Sequence, residues 1–293
     1  MNKTICQIVD SSGSLPRDLI KEYNISEVPF YFKFDNPEYY CENVDYGRAD
    51  FYQHMREYPE KIPQTSAPNV YDWLKVFEQQ YARGLREFIV TTISEKLSAS
   101  FQTALLAKEM FEKEKDDVRM EVISSNTCAC GQAALEIGIA KMIDHHRGFG
   151  EIVRTIQKLV TNISTLFVVD SLTYMKAGGR IGGAAAFLGK LINLKPICEF
   201  VDGAVRPIKT VRGRNHSLKT MIDIAVSRFV DINQTLIIIQ NADCAEDAED
   251  MVNYLREKTN DPGQIFQSDL GITVGAHSGP GAIGIGFVEN PVV

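Results

Sequence analysis

The chain has 293 residues, 44% of them apolar and 24% charged, a composition that excludes a disordered, collagen-like or coiled-coil protein. Its 31 basic and 38 acidic side chains give a net charge of −7, which argues against general nucleic-acid binding. No apolar run reaches the roughly 18 residues of a membrane span, and six cysteines without a Cys-x-x-Cys pair make no disulfide framework.

The apolar stretch 5–9 is too short for a signal segment, is interrupted by Gln7 and stops at Asp10. The expected setting is therefore cytoplasmic and reduced, with the Asn-x-Ser matches at Asn24 and Asn162 unglycosylated. Residues 4–9 predict a strand instead, Asp10-Ser-Ser-Gly13 is turn chemistry, and Ser14 is placed as a helix cap with Pro16 in the first turn. A short strand is expected near 28–34, a helix over 70–80, a buried strand over 87–93, a polar turn over 94–100, a helix over 101–114 and a strand over 118–124. Such alternation predicts a parallel sheet with helices on both faces, its ligand sites at the C-terminal strand ends. The polar turns 10–13, 94–98 and 124–127 sit at such ends.

After a helix ending near 145–148 the pattern changes. A strand is expected near 166–169, then loop, helix and hairpin over 178–213, with one hairpin arm at 204–211 turning at Asp202-Gly203. A helix at about 217–229, a strand at 236–240, a helix at 245–258 and a closing strand pair complete the chain. The fold class is α/β: a Rossmann-like domain over 1–160 and an α+β domain over 161–293, with no linker at the boundary. Between 176 and 220 nine Lys and Arg face two acids, a local +7 that suits a phosphate or an acidic partner surface, or a merely solvated face.

Familiar motifs fail on context. Gly279-Pro-Gly-Ala-Ile-Gly284 spells a dinucleotide fingerprint, yet neither the crossover helix nor the acidic residue follows. The stretch from Gly183 to Gly189-Lys190 has one residue too many for a phosphate loop, and Leu191 stands where Ser or Thr would hold magnesium. Cys128-Ala-Cys130 and the adjacent His145 and His146 lack metal-site spacing, so no metal and no cofactor is expected. Cys6, Cys198 and Cys244 read as small buried apolar groups. What survives is Thr65-Ser66-Ala-Pro68 before a helix, the crowd of Ser94, Ser98 and Ser100 at a strand end, and His277-Ser278 in a Gly-rich segment that allows close approach of a ligand.

At these residues the chain resembles the DegV family over essentially its whole length. The resemblance rests on Asp10-Ser-Ser with Leu15-Pro16, Thr65-Ser-Ala-Pro, Ile93-Ser-Glu-Lys-Leu-Ser98, Ala177-Gly-Gly-Arg-Ile181, Leu194-Lys-Pro with Asp202-Gly203, Val211-Arg-Gly213, and His277-Ser-Gly-Pro-Gly281, in that order. It implies a two-domain fold holding one long-chain fatty acid between the domains, as the acyl-carrying subunit of a bacterial fatty acid kinase whose product feeds phospholipid synthesis. It further implies no catalytic residue in this chain, a separate ATP-binding kinase partner and transient contact with a membrane surface. The carboxylate site carries over as Thr65 and Ser66, Ser98 with the Ala99 N–H, and His277 with Ser278. Arg180 and Arg212 match basic positions on the kinase-facing surface.

Two departures concern the site. Ala99-Ser100-Phe101 stands where the family usually has Gly-Thr-Tyr, and Ala67 stands where Gln is commoner. The rival readings are a Ser/His acyl hydrolase, an enzyme resembling the dihydroxyacetone kinase substrate domain, and a plain scaffold. A hydrolase would want an acid on His277, but Asp269 and Glu289 sit in no triad motif and Ser98 lacks the Gly-x-Ser-x-Gly elbow.

Overall fold

A computed structural model describes residues 4–188, 194–260 and 265–292. In chain order the first half contains β1 (Ile5–Asp10), α1 (Arg17–Tyr23), β2 (Ser26–Val28), β3 (Tyr31–Lys33), β4 (Tyr40–Cys41), α2 (Arg48–Glu57) and β5 (Gln64–Ser66). It continues with α3 (Val70–Ala82), β6 (Glu87–Thr92), α4 (Ser100–Glu114), β7 (Arg119–Ser124), α5 (Ala129–Asp144) and α6 (Phe149–Val160). The second half contains β8 (Ser164–Val168), α7 (Thr173–Ala177), β9 (Leu194–Val201), β10 (Ala204–Arg212), α8 (Arg214–Val226) and β11 (Thr235–Asn241). It closes with α9 (Ala245–Thr259), β12 (Ile265–Asp269), α10 (Ile272–Ser278) and β13 (Ile283–Glu289).

The first sheet, in the order β2-β1-β6-β7, is parallel throughout. Every residue of β1 is buried, as a strand covered on both faces requires. One face sets Ile8, Phe88 and Val90 against Trp73 and Phe77 of α3 and Phe111 of α4. The other sets Val9 and Ile89 against α1, α5 and α6. The second sheet runs β10-β9-β8-β13-β11-β12 and is antiparallel except for β11–β12. A small sheet, β4-β3-β5, completes the set.

The helix α5 lies between the two large sheets, with 14 of its 16 residues buried, so it is apolar nearly all round. Its Leu135, Ile137 and Ile139 join Ile5 and Val9 of the first sheet and Leu236, Ile238 and Val288 of the second in one core. Each such side chain contributes about 1.5–3 kcal/mol on burial. Close approach depends on Gly286 of β13, where a Cβ would lie 2.2 Å from the Cys130 carbonyl carbon.

Several elements differ from expectation. Ser14 does not cap the start of α1: it closes the 3-10 turn Ser11–Gly13 with a left-handed φ of 54°, its Oγ accepts the Gly271 N–H at 2.8 Å, and α1 begins at Arg17. The strand expected over 28–34 is two, because Pro29 follows the last residue of β2 and the chain leaves the first sheet for the small one. The closing strands, expected as a pair, do not pair with each other. Both β12 and β13 pair with β11, and the Gly-rich segment between them is the helix α10. The helices α2 and α6 went unread, although Phe149, Ile152, Ile156 and Leu159 form a buried stripe at helical spacing. Of the phosphate-loop-like stretch, Gly183 lies in a 3-10 turn, while Gly189, Lys190 and Leu191 lie outside the described residues. Among the described residues no group of His, Cys, Asp and Glu could hold a metal, and no helix is long and apolar enough to cross a membrane.

Candidate functional site

Between the two large sheets lies a cavity of about 440 Å³, within the usual range for small-molecule sites. Phe30, Ile93, Leu97, Phe167, Met175 and Leu270 make most of its wall apolar. Polar side chains reach it from β5, the loop after β6 and α10, and also from Thr103, Thr165 and Gln240.

The short strand β5 brings Thr65 and Ser66, and Asn69 caps the following helix through a capping box with Asp72. The loop after β6 turns back on itself, with the Leu97 and Ser98 N–H groups donating to the Ser94 carbonyl at 2.9 and 3.2 Å. Ser98 Oγ accepts the Ser100 N–H at 3.3 Å, which leaves its own O–H to donate into the cavity. Ala99 has φ −77°, so a right-handed backbone does the work here and the absent glycine creates no strain. From the other side α10 presents His277 and Ser278. Thr65 and His277, 212 positions apart, meet at 2.8 Å between Oγ1 and Nε2.

Burial is the main cause that pushes His277 down to about 4, and the nearby positive Arg180 adds to it. At neutral pH the ring is uncharged. Its Nδ1 has no partner among the described residues, because it lies against Gly178, where a Cβ would come within 2.0 Å. A triad histidine would carry an acid at that nitrogen. The Ser278 hydroxyl is likewise buried without a partner. The site thus offers hydroxyl donors and a neutral imidazole within a mostly apolar space, a chemistry suited to an anion with a long tail.

All six residues expected at the carboxylate site, Thr65, Ser66, Ser98, Ala99, His277 and Ser278, line this one cavity. So does Ala67. Arg180 lines it too, and donates from Nε to the Leu97 carbonyl at 2.9 Å and from Nη1 to the Gly178 carbonyl. Arg212 is not brought to the cavity. It is exposed at the end of β10. Lys195, Arg206 and Arg214 of the basic segment are paired with Asp170, Asp202 and Asp247, whereas Arg180 and Arg212 have no carboxylate partner among the described residues.

The residues missed by sequence reasoning lie in the wall. Cys128, Ala129 and Cys130, set aside as a failed metal motif, line the cavity at the start of α5 together with Thr165 and Gln240. Burial raises the Cys128 and Cys130 thiols, Cys130 to about 12, so they act as apolar surface. The available signal was the small-residue run 128–134, which is what a helix needs to lie close against a sheet.

The family model described as "Uncharacterised protein, DegV family" matches residues 5–290. A DegV domain-containing protein of Caldanaerobacter subterraneus is 30% identical over 286 residues, 98% of this chain and 99% of its own. One from Staphylococcus aureus strain N315 is 28% identical over 288 residues, 98% of each chain. Among solved structures, a stearic acid-binding protein from Eubacterium ventriosum superposes with a TM-score of 0.89 at 24% identity, covering 99% of both chains. A fatty-acid-binding DegV family protein from Thermus thermophilus gives 0.89 at 23% identity over 98% of this chain and 99% of its own. With the family model spanning nearly every residue and the same two-sheet architecture recurring, this chain belongs to the DegV family.

Proposed function

We propose that this protein binds one long-chain fatty acid, with its tail in the apolar cavity and its carboxylate on Thr65, Ser66, Ser98, the Ala99 N–H, His277 and Ser278. The observation that carries the reading is the make-up of the cavity: a mostly apolar wall that also carries the hydroxyls of Thr65, Ser66, Ser98 and Ser278 and a neutral His277 bonded to Thr65. Each methylene buried contributes about 0.8 kcal/mol, so the tail supplies the affinity. The carboxylate needs only donors enough to offset its desolvation. Solved relatives of this fold that bind fatty acids support the same reading.

The chain then serves as a carrier in the cytoplasm, with 1–160 and 161–293 as the two domains that enclose the lipid. It presents the carboxylate to a separate ATP-dependent kinase and takes no cofactor of its own. Arg180 and Arg212, which lack carboxylate partners among the described residues, supply the kinase-facing charge, and the acyl phosphate formed feeds phospholipid synthesis. Loading from a membrane surface is a transient contact. The acyl hydrolase reading has no support at His277, whose Nδ1 meets a glycine where an acid is needed.

Native mass spectrometry of protein expressed in bacteria tests the core of this reading. The expected result is a folded protein carrying close to one equivalent of a C14–C18 acid. Well-folded protein whose organic extract holds no such acid, and which takes up none on incubation, overturns it.

A further inference from the structure

Asp10 ends β1 and is 1% exposed, yet among the described residues no Lys, Arg or His is bonded to it. Its Oδ1 accepts the Ser12 N–H at 3.2 Å, the Gln132 Nε2 amide at 2.9 Å and the Ser12 hydroxyl, a proton shared with Gln132 Oε1. Its Oδ2 accepts the Ile93 N–H at 2.9 Å and the Ser100 hydroxyl at 2.7 Å. A buried carboxylate without a cation is costly, so a cluster of donors this dense is the condition for its presence. The cost is spent at a particular place. Ile93 and Ser100 bracket the loop 94–99, and that loop carries Ser98 and Ala99 into the cavity.

Ser100 is the link. Its hydroxyl is held by Asp10 while its N–H donates to Ser98 Oγ. With that lone pair of Ser98 occupied, the Ser98 O–H is left to act as a donor. An asparagine at position 10 would set an NH2 group against Ile93 N–H and Ser100, or, flipped, against Gln132 Nε2, so donor would meet donor in either orientation.

We propose that Asp10 is a positioning residue for the ligand site: one carboxylate oxygen, gripping both ends of the loop 94–99, fixes Ser98 as a hydrogen-bond donor to the ligand's carboxylate. This rests on the fatty-acid reading above. Asp10 touches neither the cavity nor the ligand and acts only through Ser100 and Ser98.

Palmitate titrations on Asp10→Asn, Ser100→Ala, Ser98→Ala and the two doubles made with Ser98→Ala, each checked for fold by circular dichroism, test this. Ser98→Ala should weaken binding about tenfold, the scale of one hydrogen bond to a charged group. Asp10→Asn and Ser100→Ala should each weaken it by a similar factor, and each should cost less than about twofold more once Ser98 is already alanine. A purely structural loss would multiply with the Ser98 effect in the doubles, and that result overturns the inference. So does a folded Ser100→Ala protein that binds as the wild type does. If Asp10→Asn does not fold, Ser100→Ala decides, because it removes only the Ser100 hydroxyl's bond to Oδ2 and leaves that of the Ile93 N–H. Unchanged affinity in Ser98→Ala itself moves the carboxylate elsewhere, overturning the site assignment and this inference with it.

Discussion

Gly178 shows how one missing methyl group can serve a ring. Its φ of −76° and ψ of −9° suit any residue, so alanine there meets no backbone penalty. The obstacle is His277 Nδ1, 2.0 Å from the position the new carbon would take. Gly178→Ala should therefore push His277 off Thr65 and weaken fatty acid binding about tenfold or more, measured by calorimetric titration. In a His277→Ala background the same change should cost almost nothing. The ring also predicts a pH effect. Its value of about 4 lies below the ordinary 6.5, so between those limits the unfolded chain binds a proton that the folded chain does not. Stability on this account is intact above pH 6.5 and falls as pH drops toward 4, by up to about 3 kcal/mol. Burial raises Asp10, Glu42 and Glu136, which gives a slope of opposite sign. The measurement is thus a difference: urea midpoints of wild type and His277→Gln, with the wild type losing more between pH 7 and 4.5.

Elements were legible where hydrophobic runs were continuous. β1 and β6 announced a parallel sheet because nearly every residue is buried and polar turns bound them, whereas β7, at the sheet edge, fully buries only Met120 and Val122. The segment holding α10 hid itself, since three glycines and a proline within 275–281 read as loop although the first glycine is helical. Ser14 misled for another reason. A serine before a proline fits a helix cap, but the hydroxyl serves Gly271, 257 positions away, and no local rule reports such a partner. The site was similar: Thr65, Ser98 and His277 stood out only through the order of their motifs, and their convergence is tertiary. Cys128 and Cys130 were legible as residues but not as wall. Gly286 belongs to this scale as well. Because the atom that blocks a Cβ there is backbone of α5, no rotamer change relieves it. Gly286→Ala should destabilise the fold by about 1–3 kcal/mol or more, seen as a lower Tm, while Gly84→Ala meets no atom and should cost only its left-handed backbone.

At the scale of the molecule, a net −7 chain carries a basic segment over 176–220, in which Arg180 lines the cavity and Arg212 does not. Arg180 and Arg212 differ in what they do there. Arg180 braces Leu97 and lines the cavity, so reversing it should disturb lipid binding as well as transfer. Arg212 is the clean probe. On the proposed kinase reading, Arg212→Glu should abolish acyl phosphate formation when the protein is reconstituted with a fatty acid kinase, while fatty acid affinity changes less than about tenfold. The wild-type pair should weaken as salt rises, because exposed charges are screened. Arg212→Glu protein that still supports full transfer would take the kinase-facing surface away from β10.

The cavity between the sheets is also a gap in the interior of the protein itself. Its wall belongs to the same cluster that holds Phe30, Met175 and Leu270 in place, so an empty molecule lacks the atoms those side chains would otherwise touch. On the proposed reading, a bound acyl chain would behave as a missing piece of the core, supplied from outside and removed at each transfer. Occupancy stabilises the folded state in proportion to the logarithm of free ligand over Kd. A cell short of lipid would hold this protein in its loosest form, most open to proteolysis. Its lifetime becomes a record of supply.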